Sequence, residues 1–421
     1  MFTLTYEFKI KASKARQAIF EDWLEINRRV YNYALRERKD WYESRKCQVN
    51  ACSLQKCFVI SANAPRPTYN QQSKQLTVAK KEYPDLKKPQ AQVLQQTLMR
   101  LEKAFVLMWE RNYGFPRFKK TGRIRSFVFP QVKNEWVDDS RVYLPKIGWV
   151  IIRNSRSIPS GGNVKQFRIV KRASGWYIQI TVCWDVKTPS PIPNGNAIGI
   201  DVGLTSFAAT SNGLVIKRPK FFVDLQSKLK SLQRKVSRKV KGSNNWKKAQ
   251  YKVALLHERI ANTRKNWHLK TAHQLCEGNG MIFVENLNLI GLSRGILGKH
   301  CLDAGFGQFF NILKQTCFKR GVYFEKVSAH KTSQICPNCR HETGKKTLAK
   351  RIHTCDNSGY TTDRDVAAAQ VVLLRGLAAV GHTVRQCGLG GFPHEQLRTR
   401  RVKMLGEGKS SSFPLNQESQ H

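Results

Sequence analysis

The stretch AIGIDVGL, residues 197–204, is an apolar run that breaks at a carboxylate, Asp201, followed at once by Val202 and Gly203. Short apolar runs of this kind read as buried strands. FAATS (207–211) reads as the adjacent strand and LVIK (214–217) as a third. MIFVENL (281–287) repeats the pattern: apolar Met281–Val284, then Glu285. VYFEKVS (322–328) is a further strand, and Phe306–Arg320 is helical. DRDVAAAQVVLLRGLAAV (363–380) has the period of an amphipathic helix, with Asp365 at its start.

A lone acid at a strand end or helix start is ordinarily a cap or a solvated loop residue. Glu285 resists that explanation, because a buried, unpaired carboxylate after an apolar run is costly. In an RNase H-like fold, acids from the first strand, the fourth strand and a later helix converge on two divalent ions. Such ions, about 4 Å apart, clamp the attacking and leaving oxygens of a phosphodiester. Mg²⁺ takes oxygen ligands, which is why carboxylates are needed. Asp201, Glu285 and Asp365 occur in that order and are the expected catalytic, Mg²⁺-holding set. Asp363, two residues earlier, is read as the helix cap.

The N-terminal half has another character. Phe2–Ile10 alternates like a strand, Ala12 to about Ser44 follows a helical period, and 63–74 reads as a loop. A second helix is expected from Ala91 to about Arg111. Short strands follow at Ser126–Phe129, Arg141–Leu144, Trp149–Ile152, Gln166–Lys171 and Gly175–Trp184. Residues 1–10 would complete a small barrel with 120–185, the helices forming an inserted lobe, and Thr188–Asn194 is a Pro-rich linker. The tail 381–421 is rich in Gly, Ser and polar residues and is expected to be disordered.

Charge narrows the partners. The 421 residues hold 73 Lys and Arg against 29 Asp and Glu, a net +44, which favours a polyanion sharing the surface. No run of 18 apolar residues occurs and the start lacks a signal-peptide core, so a soluble, cytoplasmic protein without a membrane partner is expected. Residues 217–270 are strongly basic, a helical pair broken at KGSNN (241–245). Arg234, Lys235, Arg238, Lys239, Lys241, Lys247, Lys248, Arg264 and Lys265 are candidate nucleic-acid contacts. Trp246, Tyr251, Trp267 and His268 interleave with them as candidate stacking partners for bases. Such a charge run is otherwise a solvated helix face. Lys119, Lys120, Arg123 and Arg125 form a weaker second group.

Of eleven cysteines, Cys57, Cys183, Cys276 and Cys317 sit among apolar residues and read as reduced, buried thiols. Cys336 and Cys339 form a CPNC knuckle suited to Zn²⁺, and Cys355 stands where a second knuckle belongs. Ser358 occupies the fourth position, so His353 or His341 is a candidate substitute. The alternative is a degraded ribbon holding zinc weakly or not at all. In either case its role is structural.

YGFPRFKK with RSFVFP (113–130), IGIDVGL, IANTRKNWHLK, FVENLNLIGL, TSQICPNC and DRDVAAA together resemble TnpB, the transposon-encoded relative of the type V CRISPR effectors. The resemblance implies a multidomain α+β chain. Residues 1–10 and 116–190 would be a wedge-like β-barrel and 11–115 a helical recognition lobe. Residues 195–334 and 360–380 would be a RuvC-like, RNase H-like α/β nuclease, with 335–359 a zinc-ribbon-like target-loading insertion. It implies an RNA-guided DNA endonuclease, monomeric with one guide RNA, acting on double-stranded DNA in a prokaryotic cytoplasm and on the nucleoid when bound. Asp201, Glu285 and Asp365 match the family's catalytic acids. The chain departs from the family pattern at Arg340 (usually Gly), Ser358 (Cys) and Ala367 (Asn). Competing readings are a nuclease-impaired RNA-guided DNA-binding protein, a miniature type V CRISPR effector, and a guide-free recombinase.

Overall fold

A computed structural model describes residues 2–46, 60–61, 63–347 and 349–381. Cys57 and all but the first residue of the 381–421 tail lie outside the described residues. The elements are, in order, β1 (Phe2–Lys11), α1 (Lys14–Ser44), α2 (Tyr69–Glu82), α3 (Ala91–Arg111), β2 (Ser126–Phe129), β3 (Arg141–Leu144), β4 (Gly148–Arg153), β5 (Asn163–Arg172) and β6 (Gly175–Trp184). The C-terminal half continues with β7 (Ala197–Val202), β8 (Ser206–Thr210), β9 (Val215–Lys217), α4 (Gln226–Ser237), α5 (Asn244–Cys276) and β10 (Met281–Glu285). Then come α6 (Leu289–Arg294), α7 (Gly298–Ala304), α8 (Phe306–Arg320), β11 (Tyr323–Val327), β12 (Ile352–Thr354), β13 (Thr361–Asp363) and α9 (Arg364–Ala379).

The first sheet runs β2-β5-β6-β1-β4-β3. Every pairing in it is antiparallel, with β1 inserted between β6 and β4. The expected strand from the chain's start therefore does join strands from 126–184. Among the described residues the ladder ends at β2 and β3, so the strands expected to build the small barrel form one six-stranded sheet. Helices α1 and α3 cover it, burying Phe20, Trp23, Leu94 and Leu98 against Phe127, Phe129, Phe167 and Ile178. The 63–74 loop expectation is also corrected, because a helix starts at Tyr69. Thr68 and Gln71 form a reciprocal capping box there, which satisfies the first amides of α2.

The second sheet runs β11-β10-β7-β8-β9. Strands β7, β10 and β11 are parallel, while β8 runs antiparallel to β7 and β9 antiparallel to β8. Alternate side chains of a strand face opposite ways. Ile198, Ile200, Ile282 and Val284 face α5 and α8 with Phe309 and Leu313. Met281 and Phe283 face the other way, against Val372 of α9. Both faces are covered, so these strands are apolar throughout, as parallel strands must be. The odd-numbered positions of β7 and β10 face α9, and their last members are Asp201 and Glu285.

The expected break in the basic helical pair falls between α4 and α5, where the Ser243 hydroxyl accepts from the Trp246 amide at 3.1 Å. Among the described residues no helix is long and apolar enough to cross a membrane.

Candidate functional site: an acid centre and a cysteine knuckle

The register of β10 on β7 pairs Phe283 with Gly199 and Val284 with Ile200. One residue further, Glu285 comes beside Asp201, about one strand spacing away. Asp365 arrives from the first turn of α9, whose Asp363 cap accepts from the amides of Asp365 (2.8 Å) and Val366 (3.2 Å). The Asp365 carboxylate accepts from the Ser206 hydroxyl at 2.8 Å. Glu285 is buried and accepts from the hydroxyl of Thr332, also buried.

Burial, then the neighbouring Glu285 and Asp365 charges, push the Asp201 carboxyl well above the usual carboxylate range; the Val202 amide and Arg364 offset this only in part. Burial likewise raises Glu285, against the Thr332 hydroxyl, Arg375 and a hydrogen bond with Asp201. Asp201 is thus the hub, interacting with both other acids. The three carboxylates are less tightly drawn than the cysteine trio, whose sulfurs all lie within 4.8 Å of one another.

That trio is Cys336, Cys339 and Cys355. The sulfurs of Cys339 and Cys355 are 3.5 Å apart, and Ser358 Oγ is 3.5 Å from the Cys336 sulfur. Two tight turns shape the knuckles. The Cys336 amide donates to His341 O, the Arg340 amide to Cys336 O, and the Gly359 amide to Cys355 O. Arg340 has φ +63°, a left-handed conformation in which only glycine is unstrained, and this accounts physically for the family's glycine. His353 is buried on β12, but its Nδ1 faces Lys346 and its Nε2 has no partner. It is not among the atoms gathered at the trio, and His341 is exposed.

The basic candidates divide. Lys120, Arg123, Arg125, Arg234, Lys235, Arg238, Lys239, Lys241, Lys247, Lys248 and Lys265 are exposed. Lys119 is half-buried, its ammonium 5.3 Å from the Tyr31 ring centre and its backbone held by Asn32. Arg264 is tied down: it donates to Gln308 Oε1, Leu302 O and Asp303 O. Two stacking candidates are corrected. Trp267 packs edge-on to Phe207 at 4.6 Å, and His268 is buried with a ring nitrogen 3.0 Å from Ala304 O. Burial holds the His268 imidazole down to about 4. Tyr251 remains exposed. Cys183, Cys276 and Cys317 are free and buried, as expected.

Sequence reasoning missed the residues that hold the acids: Ser206, Thr332 and Arg375. Hydroxyls and an arginine in apolar surroundings give no periodic signal. The one available hint was Thr332 in TSQICPNC, within a stretch singled out for its cysteines.

The class defined so far is an α+β protein whose second sheet carries an acidic cluster where two parallel strands end, with a three-cysteine knuckle inserted before the last helix. Family models match three segments: "Probable transposase" over residues 180–294, "Cas12f1-like, TNB domain" over 306–372 and "Helix-turn-helix domain" over 1–47. An Escherichia coli K12 protein named "Putative RNA-guided DNA endonuclease InsQ" is 34% identical over 340 residues, 76% of this chain and 82% of that one. A Streptomyces pristinaespiralis protein, "Putative RNA-guided DNA endonuclease", is 32% identical over 388 residues, 90% of each chain. A solved structure of the mini-RNA-guided endonuclease CRISPR-Cas_phi3 aligns over 92% of this chain and 93% of its own, at 10% identity and a TM-score of 0.44. The chain belongs to the TnpB family, on the strength of the first two relatives.

Proposed function

We propose that this chain is an RNA-guided DNA endonuclease of a transposable element, hydrolysing phosphodiester bonds at Asp201, Glu285 and Asp365. The observation that carries the reading is the meeting of two strand-end acids from adjacent parallel strands with a third from α9, in a chain of net charge +44. The strand order, with the first three strands antiparallel and the next two parallel, is compatible with an RNase H-like sheet and supports the reading. Two relatives that cover most of their length are named for this activity.

The donor set suits a hard divalent cation. The Glu285 and Asp365 charges raise the proton affinity of the buried Asp201 carboxylate, and a cation would relieve the same repulsion. Bound Mg²⁺ would supply an activated water and neutralise charge at the leaving oxygen. The chain's own contribution is placement. Asp201, interacting with both neighbours, is the central carboxylate of the set that would hold the cation. Ser206 fixes the orientation of Asp365, and Thr332 that of Glu285.

Cys336, Cys339 and Cys355 would hold a structural Zn²⁺, with Ser358 beside them as a poor fourth ligand. Residues 1–10 and 116–190 would act as the wedge, 11–115 as the recognition lobe, 195–334 and 360–380 as the nuclease and 335–359 as the target-loading insert. The exposed cations of α4 and α5 would track the guide RNA or its hybrid with the target strand. Sequencing the RNA that co-purifies with the protein, then offering Mg²⁺ and duplex DNA matching its variable end, tests the reading. Cutting that ribonuclease treatment destroys and Asp201→Ala abolishes is expected. Ribonuclease-indifferent cutting would favour the guide-free recombinase.

A further inference from the structure

We infer that Thr332 is a positioning residue that couples the cysteine segment to the acid centre by fixing the Glu285 carboxylate. This rests on the reading of Glu285 given above. The Thr332 side chain is on neither of the elements that carry the acids. It opens the turn Thr332–Gln334, in the connection that leaves β11 for the cysteine segment. Its hydroxyl nevertheless donates to Glu285 Oε1 at the end of β10, and both residues are buried.

Three features show that this connection is built to hold the Thr332 hydroxyl in place. Lys331, immediately before Thr332, takes the left-handed conformation at φ +54°, a strained state for a side-chain-bearing residue. Arg375, ten residues beyond Asp365 on α9, donates to Ser328 O at 2.6 Å and His330 O at 2.7 Å, so it grips the connection from the helix that bears another acid. On the far side of the turn, Thr343 donates its amide to Gln334 O at 2.7 Å and its hydroxyl to the same oxygen at 3.1 Å, and the Cys336 amide donates to His341 O at 2.9 Å. Only Ser333, Gln334 and Ile335 separate Glu285's partner from the first cysteine, and this short link is hydrogen-bonded at both ends. A change in the order of the cysteine knuckle is transmitted to Thr332, and through its hydroxyl to Glu285.

A buried carboxylate oxygen that accepts from a fixed hydroxyl has its remaining lone pairs directed, and loss of such outer partners costs metal sites about ten- to a hundred-fold in affinity or activity. The test uses the full chain with its co-purified RNA. Thr332→Val keeps the shape and removes the donor; Thr332→Ser keeps the donor. Two quantities are read: binding of Mn²⁺ by electron paramagnetic resonance without turnover, and the Mg²⁺ concentration that half-saturates DNA cutting. The expected result is that Thr332→Val weakens both by about tenfold or more while target-DNA binding is unchanged, and that Thr332→Ser restores both. Cys336→Ser should weaken Mn²⁺ binding in the same direction. Unchanged Mn²⁺ binding in Thr332→Val overturns the inference, as does an equal loss in Thr332→Ser, which would assign the effect to packing. Glu285→Gln separates the two levels. If it abolishes cutting while Thr332→Val behaves as wild type, only the role of Thr332 fails; if it leaves cutting and Mn²⁺ binding intact, the acid centre itself fails.

Discussion

Gly199 and Ala369 meet backbone to backbone: a Cβ on Gly199 would stand 2.1 Å from the Ala369 carbonyl oxygen and 2.5 Å from the Leu373 amide nitrogen. Gly376 repeats the arrangement on the helix side, where a Cβ would lie 2.1 Å from the Phe283 ring. Gly199 precedes Asp201 by two residues, Phe283 precedes Glu285 by two, and Ala369 follows Asp365 by one turn. The close seat of α9 on β7 and β10 thus brings the third acid to the other two. Gly199→Ala should push α9 away from the sheet, because the obstructing atoms are backbone and cannot rotate aside. Overpacking of this kind costs roughly 1–3 kcal/mol. A lower unfolding midpoint and a loss of cutting larger than the loss of DNA binding are expected. Unchanged cutting would mean the seat of α9 is not what positions Asp365.

The acid centre also sets a pH dependence with an unusual sign. Burial and its neighbours raise the Asp201 carboxyl well above its ordinary 3.8, so the folded protein holds a proton that the unfolded chain has released. Stability contributed by this group is then lost as pH rises from about 4 through the raised value, opposite to the common case of a salt-bridged aspartate. Asp201→Asn removes that penalty. In chelator, the variant should unfold at a higher temperature than the wild type, by a margin that grows as pH rises to neutrality. Added Mg²⁺ should stabilise the wild type and leave the variant unmoved. Comparing the two proteins at each pH cancels the general effect of the +44 charge.

Arg264 and the lysine pair Lys247 and Lys248 test whether the basic region is one surface. Lys247 and Lys248 are exposed on α5, whereas Arg264 donates to two backbone carbonyls and Gln308. Lys247→Ala with Lys248→Ala should leave the unfolding midpoint in place and reduce the salt dependence of RNA binding, by about one in slope for each phosphate no longer neutralised. Arg264→Ala should instead destabilise by roughly 1–3 kcal/mol, since it strands its acceptors. A salt slope unchanged in the lysine variant would return that face of α5 to the solvent.

These contrasts bear on what could be read before the fold was known. Strands ending in Asp201 and Glu285 were legible because a charge after four apolar residues breaks a pattern. The helix of Asp365 was legible by its period and the Asp363 cap. Partners brought together by packing alone were not: Ser206, Thr332 and Arg375 lie 159, 47 and 90 positions from the acids they serve (Asp365, Glu285 and Glu285). Trp267 and His268 were misread because aromatic residues among lysines look the same whether they face bases or Phe207. The helix from Tyr69 was hidden by polar residues that its capping box makes favourable.

Ser358 offers the sharpest test of the cysteine knuckle. Its hydroxyl lies 3.5 Å from the Cys336 sulfur, so a thiol at that position meets the trio without movement of the chain. A fourth thiolate completes a tetrahedral zinc set, which a hydroxyl does poorly. Ser358→Cys should therefore retain stoichiometric zinc against a chelator concentration that strips the wild type, read by the absorbance of a metal-binding dye. Arg340→Gly adds to this through the backbone, because the left-handed φ of +63° costs an arginine roughly 1–2 kcal/mol that glycine does not incur. The double variant should hold zinc more tightly than either single change, and its 335–359 segment should resist proteolysis for longer. Equal zinc loss from the wild type and Ser358→Cys would mean that the three sulfurs do not form a zinc site in this chain.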